Sequence, residues 1–416
     1  MILSREYRAN WNTLSKIVFR FVFNYFVLYI LFTFSGGLFQ TVIKWVGSAI
    51  LGIDYDYDIS GYGSGDNTFS YVKLFSGFLL SILLTTLWSI VDRKRPTYNA
   101  LLYWFVVLLR IYLIYFMLVY GFVKVFKSQF PYPSLSRMLQ PLNEFSPMGL
   151  AWTYMGYSNG FNIFTGSLEV IAGLLLIPKR TQTLGALMVA GVMMHVTAMN
   201  FMFDIPVKIF SVHLVLMALF IFSLDSKRFL NVFLFNKPSE SIQYFRPNKE
   251  PLYNKITFWI KTVLLVLVLL MIVPRGISST YKWGDKREKP FLYGIWETTY
   301  FIKNKDTMPP LLTDTERWRY LIIDYKDRAT IKTMTDEMQA YNFIIDSTQK
   351  KISVFKRESD SLKNNFIYKN QNKYFLELEG IINNDTLHII FNRINHEAFQ
   401  LNSRGFNWIN ERPFNR

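Results

Sequence analysis

Ile256-Thr-Phe-Trp-Ile-Lys-Thr-Val-Leu-Leu-Val-Leu-Val-Leu-Leu-Met-Ile-Val-Pro274 carries one charge, Lys261, in nineteen residues. A helix rises about 1.5 Å per residue, so such a stretch covers roughly the 30 Å of a bilayer's hydrocarbon. Six earlier stretches read the same way, at about 17–37, 68–91, 98–123, 161–178, 183–203 and 206–224. Phe39–Ile53 is apolar but too short to cross, and reads as interfacial. From Arg275 to Arg416 no such stretch occurs. The expectation is a polytopic α-helical membrane bundle of about seven spans, followed by a water-soluble C-terminal domain.

Composition supports a composite chain. Mean hydropathy is +0.16, between a soluble protein and a pure membrane protein. The formal charge is +16, of which residues 275–416 hold only +5. Most of the excess therefore lies in loops between apolar stretches, where it sets orientation, and no nucleic-acid partner is expected. There is no cysteine, so disulfides, thiolate nucleophiles and iron–sulfur ligation are excluded for this chain.

The loops alternate in charge. Arg5, Arg8 and Lys16 precede the first span, Arg93-Lys94-Arg95 follow the second, and Lys179-Arg180 follow the fourth. Lys227, Arg228, Lys237, Arg246, Lys249 and Lys255 lie between the sixth and seventh. The intervening loops are acidic (Asp54, Asp56, Asp58, Asp66), tight (Phe203-Asp204-Ile205) or nearly uncharged (125–160). The positive-inside rule then predicts a bacterial inner membrane protein with a cytoplasmic N-terminus and a periplasmic C-terminal domain. In the long loop, Ser146-Pro147 predicts a helix start before Met148–Tyr157.

The C-terminal part reads as all-β. Tyr320–Asp324, Asn342–Asp346, Lys351–Phe355, Tyr374–Leu378 and Leu387–Phe391 are rich in β-branched and aromatic residues, and polar turns separate them. Asn383-Asn384-Asp385 is hairpin chemistry. A small barrel or sandwich is expected. The domain reading is 1–97 (two spans with an acidic outer loop), 98–224 (a four-helix unit), 225–255 (a basic cytoplasmic linker), 256–274 (the seventh span) and 275–416 (the exported β-domain).

Ionisable and polar groups inside spans are costly and mark candidate sites. They are Arg110, Lys124, Glu169, His195, Asn200, Asp204, Lys208 and His213. Counting helical rise puts Glu169 about 13 Å and Arg110 about 18 Å from the cytoplasmic ends of their spans. A pair between them is expected, either as a structural ion pair or as a polar centre facing a substrate or quinone head group. His195 and His213 come at similar depth, as two axial ligands of a b-type haem would, or as a hydrogen-bonded pair or proton relay. No metal site is expected. Met188, Met193, Met194, Met199 and Met202 read as flexible packing.

Residues 98–224 resemble the DoxX family of bacterial integral membrane proteins. Arg110, Gly121-Phe-Val-Lys124, Gly166-Ser-Leu-Glu169-Val-Ile-Ala-Gly173, Lys179-Arg180-Thr181 and Gly185 carry the resemblance. It implies a four-helix unit and, for some members, a link to quinone-coupled sulfur oxidation or thiol redox complexes. The β-domain looks like a lipocalin or calycin. Gly294-Ile-Trp296 matches the G-x-W of a first barrel strand, and Arg404 stands where the family has an Arg packed over that Trp.

No complete catalytic constellation is present, and an oxidoreductase subunit is implied by resemblance only. Three functions fit the sequence. One is a non-catalytic component of a cell-envelope complex, whose β-domain docks a periplasmic protein partner. Another is a redox-linked subunit that contacts a quinone. The third is binding or transfer of a lipid or small apolar molecule. Membrane lipids are the other expected partners.

Overall fold

The computed structural model describes residues 11–35, 37–57, 65–239, 251–356, 364–382 and 384–415. Arg5, Arg8, Asp58, Arg246, Lys249 and Asn383 lie outside the described residues. Two compact units emerge, one helical (1–131 and 146–285) and one built on a β-sheet (132–145 and 286–416).

The helical unit contains α1 (Thr13–Phe34), α2 (Gln40–Leu51), α3 (Thr68–Val91) and α4 (Asn99–Val125). In the β-unit the chain forms the single turn α5 (Leu135–Met138). It returns to the helical unit with α6 (Pro147–Tyr157), α7 (Asn159–Leu175), α8 (Gln182–Met202), α9 (Lys208–Ser223), α10 (Ser226–Phe233) and α11 (Pro251–Lys282). Among the described residues, five helices are long and apolar enough to cross a membrane, or six if α9 and α10, bent by 75°, count as one span. α7 has 17 residues and α9 has 16, short for crossing alone. α11 continues through Pro274 to Lys282, beyond the expected end of the last span.

Local chemistry sets the helix starts. Asn12 Oδ1 accepts from the Ser15 N–H at 2.7 Å, and Asn67 Oδ1 from the Ser70 N–H at 2.8 Å. Ser146 Oγ accepts from Gly149 N–H at 3.0 Å with Pro147 at the first turn, as the sequence predicts. Leu109, Leu113 and Met117 of α4, Ala172 and Leu176 at α7, Val189 of α8 and Leu214 of α9 form the interhelical core.

An ionised residue that sequence reading passed over, Arg20, is buried at one end of this core. It donates to the Tyr98 hydroxyl at 2.6 and 3.0 Å, to Ser89 Oγ at 3.0 Å and to the Asp92 carbonyl at 2.9 Å. Its position inside the first apolar stretch is the signal that was available.

The β-unit is an antiparallel barrel. Its strands are β1 (Gly294–Lys303), β2 (Asp306–Thr307), β3 (Trp318–Tyr325), β4 (Arg328–Thr333), β5 (Met338–Asp346), β6 (Lys351–Phe355), β7 (Asn364–Asn372), β8 (Phe375–Ile382) and β9 (Asp385–Ile394). β1 and β3 to β9 pair in succession, β9 returns to pair with β1, and the two-residue β2 sits against β1. Closure leaves eight strands without a free long edge, as in a lipocalin-like barrel. Asn304 and Lys305 both take positive φ (52° and 74°), the backbone of a two-residue hairpin whose twist matches its strands. Alternate residues (Leu376 and Leu378; Leu387, Ile389 and Phe391) point inward, where they meet Trp318, Phe343 and Phe366. A short helix, α12 (Gln400–Ser403), follows the last strand.

Residues 132–145, which interrupt the helical unit in sequence, belong to the barrel. Leu135 is buried against Ile295 and Ile322, which face away from the barrel interior. Its N–H donates to Asp324 Oδ2 at 2.9 Å, and Asp324 also pairs with Arg287. Lys332 Nζ donates to the Leu139 carbonyl at 2.8 Å, and the Tyr132 hydroxyl to Asn402 Oδ1 at 2.6 Å. The segment is a strap across the outer face of β1 and β3. The expected domain boundary at 275 does not include it.

Candidate functional site

The glycines of α4 and α7 create the site. A Cβ on Gly121 would lie 2.8 Å from the Gly166 carbonyl, and one on Gly166 would lie 2.5 Å from the Gly121 carbonyl. Only glycine permits backbones this close, and small residues are how membrane helices achieve it. Lys124 lies three residues after Gly121, and Glu169 three after Gly166, so both share the contact face. Helical side chains lean toward the start of their own helix. On helices that cross in opposite directions, Lys124 and Glu169 therefore lean toward each other. They form an ion pair whose side chains are 7% and 2% exposed.

The pair is half satisfied. Glu169 Oε1 accepts from Lys124 Nζ, while Oε2, equally shut from solvent, has no hydrogen-bond partner. Both residues line a cavity of about 620 Å³ between α4, α6, α7, α8 and α9. Its walls are mostly apolar, with Met148, Trp152 and Met155 contributed by α6. His195, Asn200 and Ser211 add further polar groups beside Tyr120, Gln129 and Thr165, and Asn200 Nδ2 donates to Ser211 Oγ at 3.0 Å, joining α8 to α9. The volume suits an apolar molecule of moderate size with a few polar atoms.

The other candidates fall elsewhere. Arg110 does not pair with Glu169. It donates to the Leu176 carbonyl (Nε at 2.8 Å) and to the Ile177 carbonyl at 2.6 Å, capping the end of α7. Orphan carbonyls at a helix end attract a cation as a carboxylate does, and counting rise alone did not register them. Asp204 and Lys208 pair with each other at 3.0 Å, with Asp204 open to solvent. His213 is engaged at both ring nitrogens, Nε2 with the Tyr25 hydroxyl at 2.8 Å and Nδ1 with the Ile209 carbonyl at 2.6 Å. Tyr29 stacks on its ring at 3.9 Å. His195 lies instead on the wall of the cavity, which His213 does not line.

In the barrel, Trp296 is buried and its indole N–H donates to the Leu292 carbonyl at 2.9 Å. The Arg over it is Arg393, not Arg404. Trp296 and Arg393 are direct cross-strand partners on β1 and β9, and the guanidinium carbon lies 5.9 Å from the ring centroid. Arg393 also donates to the Tyr293 carbonyl at 2.7 Å. Gly294, at φ +149°, stands beside it, and a Cβ there would come 2.7 Å from Arg393 Nε. Arg404 lies beyond the last strand, over Phe414 and bonded to Asn410. The period of two that runs through Leu387, Ile389 and Phe391 leads next to Arg393, which is the signal sequence reading missed.

Over 139 residues the chain is 30% identical to "Uncharacterized protein YwoB" of Bacillus subtilis (strain 168), covering 86% of that protein and 33% of this chain. The chain belongs to the YwoB family. YwoB's description names no activity, and its match leaves two thirds of the present chain without a counterpart in YwoB. No family model matches the chain, and no solved structure does. The likenesses to DoxX proteins and to lipocalins thus rest on the residues quoted for them and, for the barrel, on its closed eight-stranded sheet.

Proposed function

We propose that the helical unit binds a small apolar molecule bearing a hydroxyl or amine group, held within the bilayer against Glu169 and Lys124. Glu169, which lines the cavity and whose buried Oε2 has no hydrogen-bond partner, carries this reading. A buried acceptor without a donor costs about 1–3 kcal/mol, which a ligand that donates there recovers. A quinol has such a donor and its oxidised quinone does not. Of the three functions that fit the sequence, this joins ligand binding to the quinone-linked reading. The site belongs to a bacterial inner membrane, with the N-terminus in the cytoplasm and the barrel in the periplasm, on the support of Arg93-Lys94-Arg95 and Lys179-Arg180 in alternate loops.

Binding of a short-chain quinol and of its quinone to the full-length protein in detergent, followed by tryptophan fluorescence, tests the proposal. The quinol is expected to bind at least about tenfold more tightly, with the preference removed in Glu169→Gln. Equal affinity for the two redox forms, or a preference that survives Glu169→Gln, overturns it.

A further inference from the structure

A second, smaller cavity of about 190 Å³ lies in the helical unit between α1, α3 and α9. Tyr29, Phe32, Leu74, Gly77 and Phe210 give it an apolar body, and Ser70 and Lys73 stand on its wall. Lys73 is the sixth residue of α3, about 8 Å along the axis from the helix start. Ser70, three residues earlier, shares its face. Among the described residues the only charge-linked contact of Lys73 is with the Phe69 ring, 5.8 Å from the ammonium.

Among the described residues, the carboxylates of Asp66 and Asp204 are used elsewhere. Both oxygens of Asp66 accept backbone N–H groups at the start of α9, from Lys208 at 2.6 Å and from Ile209 at 3.0 Å. Asp204 holds the Lys208 ammonium. The Tyr25 hydroxyl is engaged with His213 and the Thr33 hydroxyl donates to the Tyr29 carbonyl, so neither is directed to Lys73. A lysine in an apolar helix that lacks an acidic partner is costly unless an anion or water reaches it. A cation beside an apolar slot, one and a half turns inside a helix, matches a molecule with an anionic head and a hydrocarbon body.

We propose that Lys73 and Ser70 bind the phosphate of an anionic phospholipid, part of whose acyl chain enters the slot between α1, α3 and α9. This site contains neither Glu169 nor Lys124 and shares only Phe210 with the larger cavity. The phosphate oxyanion is the recognised group, and a free phosphate ion is the competing source.

Native mass spectrometry of the full-length protein with phosphatidylglycerol, phosphatidylcholine and inorganic phosphate tests it. One phosphatidylglycerol is expected to be retained with at least about tenfold preference over phosphatidylcholine, because the choline cation of the latter offsets the phosphate charge on which the contact with Lys73 depends. Lys73→Arg should keep the preference, Lys73→Gln should abolish it, and inorganic phosphate should not displace the lipid. Equal retention of phosphatidylglycerol by Lys73→Gln overturns the proposal, as does displacement by inorganic phosphate. Glu169→Gln should leave the preference intact, so loss of quinol binding and loss of this site are separately visible. Circular dichroism matched to the wild type confirms that each variant is folded, and Lys73→Met supplies a second neutral variant should Lys73→Gln fail that check.

Discussion

Lys124 and Glu169 meet where both side chains are almost wholly buried, whereas Lys303 of the barrel holds Glu316 and Asp385 at 2.7 and 2.9 Å on a surface open to water. The same chemistry has different consequences in the two places. In the helical unit the pair cannot be broken without stranding a charge in a medium of low dielectric. On the barrel, water replaces whatever a lost partner supplied, and long side chains give back their entropy. Buried charge in the bundle restricts sequence, and exposed charge on the barrel tolerates change.

Glu169→Ala tests the contrast where it is greatest. It should destabilise the helical unit by about 3–5 kcal/mol, seen as a lower unfolding midpoint in detergent, while Lys124→Leu with Glu169→Leu recovers much of the loss. A double variant no more stable than the single would show that the pair is not the source of the cost. Next is the strap. Leu135→Ala removes a buried side chain from the outer face of the barrel and should cost about 2–5 kcal/mol. Hydrogen exchange in β1 and β3 reports it, and unchanged protection there would mean that the strap rests on the barrel without stabilising it.

Smaller effects separate the two arginines of the barrel. Arg393→Ala should lower barrel stability by about 0.5–2 kcal/mol through loss of the contact with Trp296, and Arg404→Ala by less than about 0.5 kcal/mol. Equal losses would remove Arg393 from the role assigned to it. Acidification gives the gentlest probe. Burial holds the His396 imidazole below its ordinary range, so the folded barrel prefers it neutral. Its stabilising contribution is full above the unfolded value near 6.5 and declines as pH falls through that value. Bonds from Lys332 to Asp336 and from His388 to Glu377 hold those carboxyls low, so their contribution declines only at more acidic pH, below the usual carboxylate range. The β-sheet signal in thermal melts should fall in two stages as pH drops, the first absent in His396→Gln. A first stage that persists in that variant assigns it to another group.

Much of this architecture is legible in the chain. Apolar runs of bilayer length mark α1, α3, α4, α8 and α11, and alternation in Leu387–Phe391 marks a barrel strand. Gly121, Gly166 and Gly173 are readable as a close crossing once Lys124 and Glu169 are seen at fixed offsets from them. What stayed hidden depended on contacts distant in sequence. Arg110 found carbonyls at a helix end, which carry no side-chain signature. The strap looked like an ordinary loop because Leu135 stands between Ser134 and Ser136 in a segment too short to show a period, and its partners Ile295 and Ile322 lie more than 150 residues away.

The strap also bears on the parity of the crossings. Residues 132–145 and the barrel fold as one body, so they occupy the same compartment. The chain between them must then cross the membrane an even number of times. Among the described residues, α8, α9 with its bent continuation α10, and α11 supply at most three crossings by length and composition. If all three cross, parity requires a fourth, and α7, at 17 residues just short of the usual length, is the helix to supply it, with Glu169 on it. A short, glycine-rich span that must cross but barely reaches is a place where lipid thins or the helix is held upright by its neighbour. Gly121 and Gly166 provide that hold, so the crossing that creates the ion pair also keeps the shortest span in register with the membrane.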